Sequence, residues 1–245
     1  MNNPFLHDDA FVARLKRIEQ QISQNQLNEA AAQLNALVKI SPHDPRLYLL
    51  GSRLAGAAHN LDGMLTSAQK AHKCTPQWPV ATIHLAEVFA IRGQAEEAMS
   101  MAGLAIQQAT MQGSVEHELW SKAALIAKSL SYLTQALEWL EKAEKLAPED
   151  SNIRYQIALT QTAVGDYAEA VTTLSSLLAT QPGNPVLLAD RLRGCLGSKQ
   201  YALATQDAQA LLAQDPANET YKFYLSIALG KTPETQPGEF VSTMF

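Results

Sequence analysis

The chain has 245 residues, of which 47% are apolar, and a formal net charge of −5 from 19 Lys and Arg against 24 Asp and Glu. A mildly acidic chain lacks the positive field that attracts nucleic acid or anionic lipid, so neither is a predicted partner. The sequence has no apolar run of about 18 residues, so no membrane-spanning helix is predicted.

Five prolines recur at a regular spacing. Pro42, Pro76, Pro148, Pro182 and Pro216 are separated by 34, 72, 34 and 34 residues, and 72 is two periods plus four residues. A period of about 34 residues is typical of arrays built from helix pairs. In chain order, the pairs are predicted at 8–24 with 27–40, 45–58 with 61–74, 79–92 with 94–110, 115–129 with 131–146, 151–164 with 166–180 and 185–197 with 200–214, followed by a closing helix at 218–230.

Alanine recurs at one position in five of the six repeats, and Met64 replaces it in the second. When each proline is set at position 32, position 20 holds Ala30, Met64, Ala98, Ala136, Ala170 and Ala204. We expect the two helices of a pair to cross most closely there, because a larger side chain would push them apart.

The residues around the turns support the same register. Two residues after four of the five prolines stands a strong N-cap residue: Asp44, Asp150, Asn184 and Asn218. Trp78 holds that place after Pro76. Gly93 and Gly165 fall at position 15 and are predicted to end the first helices of their pairs.

These residues resemble the pattern of tetratricopeptide repeat proteins, most clearly in Gly165-Asp166-Tyr167-x-x-Ala170. The resemblance implies an all-α solenoid of six helix pairs plus a closing helix. The array is expected to span 1–230, with an insertion near 110–114. Residues 231–245 are expected to form a linker and the start of a further segment.

The resemblance implies a non-catalytic scaffold that binds a protein or peptide on the concave face lined by the first helices. The predicted partner-binding residues combine an apolar track with flanking arginines: Arg46, Leu49, Arg53, Ile83, Leu125, Tyr155, Leu159, Arg193 and Phe223. Exposed apolar surface of this kind usually marks a partner site. The alternative is that tight curvature buries some of these side chains against adjacent repeats.

The last residues carry a second resemblance. Pro237-Gly238-Glu239-Phe240-Val241-x-x-Met244-Phe245 is similar to the entry segment of class I S-adenosylmethionine-dependent methyltransferase domains that follow tetratricopeptide repeats. This resemblance implies an alternative function, in which the chain is the partner- or substrate-recruiting arm of a methyltransferase whose catalytic domain lies beyond Phe245. A third alternative, an assembly factor for an envelope or secretion machine, has no residue that singles it out.

No motif for catalysis, a cofactor or a metal is complete. Gly230-Lys231-Thr232 ends like a phosphate-binding loop, but Leu225 stands where the first glycine is required. The six histidines are scattered, and the two cysteines, Cys74 and Cys195, are predicted to be free thiols. Because the N-terminus lacks a cationic run followed by an apolar stretch, no signal peptide is visible and a cytoplasmic location is predicted.

Overall fold

A computed structural model describes residues 9–114 and 116–231, and within these ranges the chain forms thirteen α-helices and no strand. The prediction of an all-α fold with six helix pairs and a closing helix is therefore confirmed. The first helices of the pairs are α1 Asp9–Ser23, α3 Pro45–Ala57, α5 Pro79–Ile91, α7 His117–Ser129, α9 Ser151–Val164 and α11 Pro185–Gly197. The second helices are α2 Leu27–Ile40, α4 Leu61–Cys74, α6 Ala95–Met111, α8 Leu133–Leu146, α10 Tyr167–Thr180 and α12 Tyr201–Gln214, and the closing helix is α13 Glu219–Ala228.

The chain divides into two compact units, Met1–Tyr132 and Leu133–Phe245. In unit 1, consecutive helices from α1 to α7 pack on one another, and the first helices α1, α3, α5 and α7 also pack side by side. In unit 2, consecutive helices from α8 to α13 pack in the same way. Each unit therefore buries its apolar surface mainly between neighbouring helices, as repeat proteins do.

The residues at position 20 are buried, as expected for side chains at close contacts between helices. All five alanines at this position are fully buried, and Met64 is buried as well. At the facing position of the first helix, Ser52 donates a hydrogen bond from Oγ to the carbonyl oxygen of Met64 at 2.9 Å. A polar side chain is tolerated in this contact because its hydrogen bond is made.

The predicted N-caps are also confirmed. The side chains of Asp44, Asp150, Asn184 and Asn218 each accept a hydrogen bond from a backbone N–H in the first turn of the following helix. The side chain of Trp78 makes no such bond at the start of α5. Its indole packs instead on the buried residues Leu49, Ala71 and Ala81.

Every repeat turns between its two helices through a left-handed residue at position 15. The φ angles there are positive for Asn25, His59, Gly93, Ser131, Gly165 and Lys199. The sequence identifies only the two glycines as such turns, because four of the repeats use residues with a side chain. The left-handed conformation costs a residue with a Cβ atom free energy that glycine avoids.

Two glycine substitutions are expected to change stability in opposite directions. Gly165→Ala should lower the free energy of unfolding by about 1 kcal/mol, because φ at this position is +100°. Gly103→Ala should raise it by about 0.5–1 kcal/mol, because Gly103 lies inside α6 and an added Cβ meets no atom within 4 Å. Urea unfolding of both variants measures the two changes in free energy. If both substitutions changed stability in the same direction by the same amount, the left-handed conformation assigned to Gly165 would be refuted.

Candidate functional site

The side-by-side first helices of unit 1 carry a row of paired charges. Arg53 on α3 forms an ion pair with Glu19 on α1. Lys122 Nζ on α7 lies 3.6 Å from Glu87 Oε1 on α5. Leu125 lies one turn beyond Lys122 and is 47% exposed. We refer to Glu19, Arg53, Glu87, Lys122 and Leu125 as the unit 1 face.

Glu87 contacts two polar side chains of the unit 1 helices, His84 and Lys122. Its Oε2 lies 3.1 Å from Nδ1 of the buried His84. Burial raises the pKa of Glu87, but the hydrogen bond to His84 and the charges of Lys122 and Arg53 outweigh burial, so the pKa is lowered overall. Glu87 is therefore ionised at neutral pH and holds α5 and α7 together electrostatically.

Three residues of the predicted apolar track are buried in the core instead. Ile83 has no exposed surface, and Leu49 and Phe223 are also buried. Leu49 packs with Ala71 and Ala81 in unit 1, whereas Phe223 belongs to the core of unit 2. The alternative interpretation, burial against adjacent repeats, is thus correct for these three side chains, which are not available to a partner.

The three predicted arginines each have an acidic partner within the chain. Arg46 donates to Asp44 from Nε at 3.0 Å and from Nη2 at 2.7 Å, and its guanidinium lies over the ring of Phe11. Arg53 pairs with Glu19, and Arg193 pairs with Asp190. Because their charges are already neutralised, these arginines give no preference for an acidic partner.

In unit 2, Tyr155 links two first helices. Its hydroxyl on α9 donates a hydrogen bond to Asp190 Oδ2 on α11 at 2.7 Å, and Arg193 binds the other carboxylate oxygen. Burial, followed by the hydrogen bond to Asp190, raises the pKa of Tyr155 to about 12. Tyr155 and Leu159 are both half-buried. The hydroxyl of Tyr155 is therefore committed to the fold.

A cavity of 340 Å³ opens beside Tyr155. Its walls come from the N-terminal turns of α9 and α11 and from the end of α10. The lining residues are Ser151, Asn152, Tyr155, Leu177, Gln181, Asn184, Val186 and Leu187. The lining combines apolar and uncharged polar side chains, and none of the eight is ionisable at neutral pH.

The described residues contain no cluster of three His, Cys, Asp or Glu side chains that could hold a metal ion. Both cysteines are free, and burial followed by the charge of Asp207 raises the pKa of Cys195 to about 11. Its thiol is therefore protonated at neutral pH and is not an activated nucleophile. No helix in 9–114 or 116–231 is long and apolar enough to cross a membrane.

The sequence did not identify Glu87, Lys122 and Asp190 as interacting groups. The repeat register did offer a signal, because Glu19, Arg53 and Glu87 follow one another at intervals of 34 residues with alternating charge. Residues at the same repeat position lie on neighbouring first helices, so the alternation indicates ion pairs across the array. The methyltransferase-like residues from Pro237 to Phe245 lie outside the described residues.

Comparison with known families matches one segment of the chain. Residues 117–150 match the family model described as Tetratricopeptide repeat. The segment is one period long and coincides with the fourth repeat in the register of Pro148. A search of curated proteins found no match.

Solved structures show the same fold at low sequence identity. PilW, a type IV pilus biogenesis factor, is 13% identical, with a TM-score of 0.70 over 91% of this chain and 100% of that chain. PilF from Pseudomonas aeruginosa is 15% identical, with a TM-score of 0.69 over 90% and 98%. YrrB, a tetratricopeptide repeat protein with an unusual peptide-binding site, is 16% identical, with a TM-score of 0.62 over 80% and 97%. The described residues therefore have the tetratricopeptide repeat fold.

Proposed function

We propose that this chain is a non-catalytic scaffold that binds a partner protein or peptide through its first helices. The unit 1 face is the observation that carries the proposal. Its charges are paired between helices, so they are held in place, yet Arg53 and Glu19 remain about half exposed. A fixed row of charges that ends in an exposed leucine is suited to a partner of mixed charge with an apolar contact residue.

The proposed contact set differs from the set that the sequence predicts. The exposed or half-buried residues Arg53, Leu125, Tyr155, Leu159 and Arg193 are kept, and Arg46 is retained as a partly exposed neighbour. The buried residues Leu49, Ile83 and Phe223 are left out. Glu19, Glu87 and Lys122 are added because they share the helices and the ion pairs of the unit 1 face.

Leu125→Glu is expected to abolish partner capture without unfolding the chain. Leu125 is exposed, so the substitution removes little buried surface, but it places a charge at the apolar end of the unit 1 face. Ile40→Glu is the matched control, because Ile40 is exposed at the end of the second helix α2. Quantitative affinity capture from lysate should recover the same partner with wild type and Ile40→Glu, and should lose it with Leu125→Glu.

Capture that is equal for the two variants would show that Leu125 is not a contact residue. If wild type enriches no partner, the scaffold proposal itself fails. Melting temperatures of all three proteins are needed, because loss of capture is informative only when Leu125→Glu melts within a few degrees of wild type.

The alternative proposal, a recruiting arm of a methyltransferase, rests on the residues from Pro237 to Phe245 alone. In that case the chain would still bind its partner through the first helices, and the S-adenosylmethionine site would lie on a following domain. A glycine-rich strand–turn–helix encoded after Phe245 would support this alternative. S-adenosylmethionine binding by this chain in calorimetry would contradict both proposals.

A further inference from the structure

The cavity beside Tyr155 has a counterpart in unit 1 that a side chain of the chain itself occupies. Five cavity residues have counterparts at the same repeat positions in unit 1: Tyr155 corresponds to Leu49, Leu177 to Ala71, Asn184 to Trp78, Val186 to Val80 and Leu187 to Ala81. Each pair is separated by 106 residues, which is three periods plus the four-residue insertion. In unit 1, the indole of Trp78 packs on Leu49, Ala71 and Ala81.

Asn184 occupies the repeat position in unit 2 that Trp78 occupies in unit 1, and its smaller side chain leaves space there. The surrounding residues are larger there, since leucines stand in place of both alanines and a tyrosine in place of Leu49. They do not close the space, since an open cavity of 340 Å³ lies between them. A volume of this size is at the lower end of the range for ligand-binding pockets.

The chemistry of the lining indicates what could fill this space. Leu177, Leu187, Val186 and the ring of Tyr155 offer apolar contacts. Asn152 and Gln181 contribute side-chain amides, which can both donate hydrogen bonds to a peptide backbone and accept them from it, whereas the amide of Asn184 already caps α11 and donates to Gln181 Oε1 at 2.9 Å. Because no charged group lines the cavity, nothing there compensates for burial of a charged ligand.

We propose that this cavity binds an aromatic side chain of a partner peptide and that the amides at its opening hold the flanking backbone. The inference rests on the proposed scaffold function and extends it by defining a pocket with a preferred side chain. Trp78 shows that this position in the repeat can accommodate an indole between neighbouring first helices. In unit 2, the partner supplies the aromatic ring that the chain supplies in unit 1.

The probe is a capped Gly-Trp-Gly peptide, and capped Gly-Ala-Gly is its control. Amide nuclear magnetic resonance spectra of the full isotope-labelled chain should show shifts for Tyr155, Gln181, Asn184 and their neighbours with the tryptophan peptide only. Val186→Glu should weaken this binding at least about tenfold, because it places a charge on the apolar wall. Folding should be preserved, since Val186 is 55% exposed and lies in the first turn of α11, where an acidic side chain is favourable.

Ile91→Glu is the matched control variant, because Ile91 is an equally exposed β-branched residue of unit 1. It should bind the tryptophan peptide as wild type does. Asn184→Trp provides a second variant, in which the chain's own indole fills the cavity and should displace the probe. Circular dichroism checks the folding of this variant, because the substitution also removes the cap of α11.

Three results would overturn the inference: no shifts around the cavity, equal binding of the alanine peptide, or unchanged binding to Val186→Glu. The outcome is independent of the test at Leu125, which belongs to unit 1. Partner capture without probe binding would overturn the cavity proposal alone. Probe binding by a chain that captures no partner would overturn the scaffold proposal and leave an aromatic-binding cavity.

Discussion

Asp207→Ala is expected to lower the free energy of unfolding by about 3 kcal/mol, because it leaves a largely buried guanidinium without its counter-ion. Asp207 on α12 is 2% exposed and accepts hydrogen bonds from Arg191 Nε at 2.9 Å and from Nη2 at 2.6 Å. Arg191 on α11 also donates from Nη1 to Ser175 Oγ on α10 at 3.0 Å. The loss therefore affects three consecutive helices of unit 2, and urea unfolding followed by circular dichroism measures it.

The double variant Arg191→Met with Asp207→Leu is the control for this result. When both charges are replaced by apolar side chains, no unpaired ion remains, so stability should return to within about 1 kcal/mol of wild type. A double variant that is as unstable as Asp207→Ala would assign the loss to packing. An unchanged urea midpoint for Asp207→Ala would show that the ion pair does not stabilise unit 2.

Ala170→Trp is expected to destabilise the chain by about 3 kcal/mol or more, because overpacking of a closely packed contact forces side chains and backbone out of place. Ala170 lies at position 20 on α10 and has no exposed surface, so an indole at this site must separate α9 from α10. Urea unfolding measures the effect.

Ala168→Trp is the matched control on the same helix, because Ala168 is exposed and its side chain can be enlarged without a clash. Its effect should stay within about 0.5 kcal/mol. Similar urea midpoints for the two tryptophan variants would contradict the repeat register on which the description of the helix pairs depends.

Most of the fold could be predicted because the repeat gives each helix several independent signals. The prolines set the period, Asp44, Asp150, Asn184 and Asn218 mark helix starts, and the position 20 residues mark the contacts within pairs. The turns at position 15 were harder to recognise. Ser131 and Lys199 adopt a left-handed conformation that their residue types do not indicate, and only their alignment with Gly93 and Gly165 suggests it.

The candidate site was less predictable, because the repeat position defines the helix face on which a side chain lies but not how deeply that side chain is buried. Ile83 and Tyr155 share one repeat position, yet Ile83 is fully buried and Tyr155 is half-buried with its hydroxyl bound to Asp190. Depth depends on neighbouring helices, and their side chains differ between repeats. The cavity could not be predicted for a similar reason. The sequence shows that Trp78 differs from the Asp and Asn residues at the other N-cap positions. Only the structure shows that it packs on Leu49, Ala71 and Ala81.

Hydrogen exchange of the full chain, with and without its captured partner, tests the scaffold proposal most directly. Binding through the first helices should slow amide exchange mainly in these helices, including α5 and α7 of the unit 1 face, because a bound partner suppresses local opening of the segments it covers. The second helices, including α2, α4 and α6, should exchange nearly as in the free chain. Protection confined to the second helices, or no change in any helix at saturating partner, would contradict the proposal.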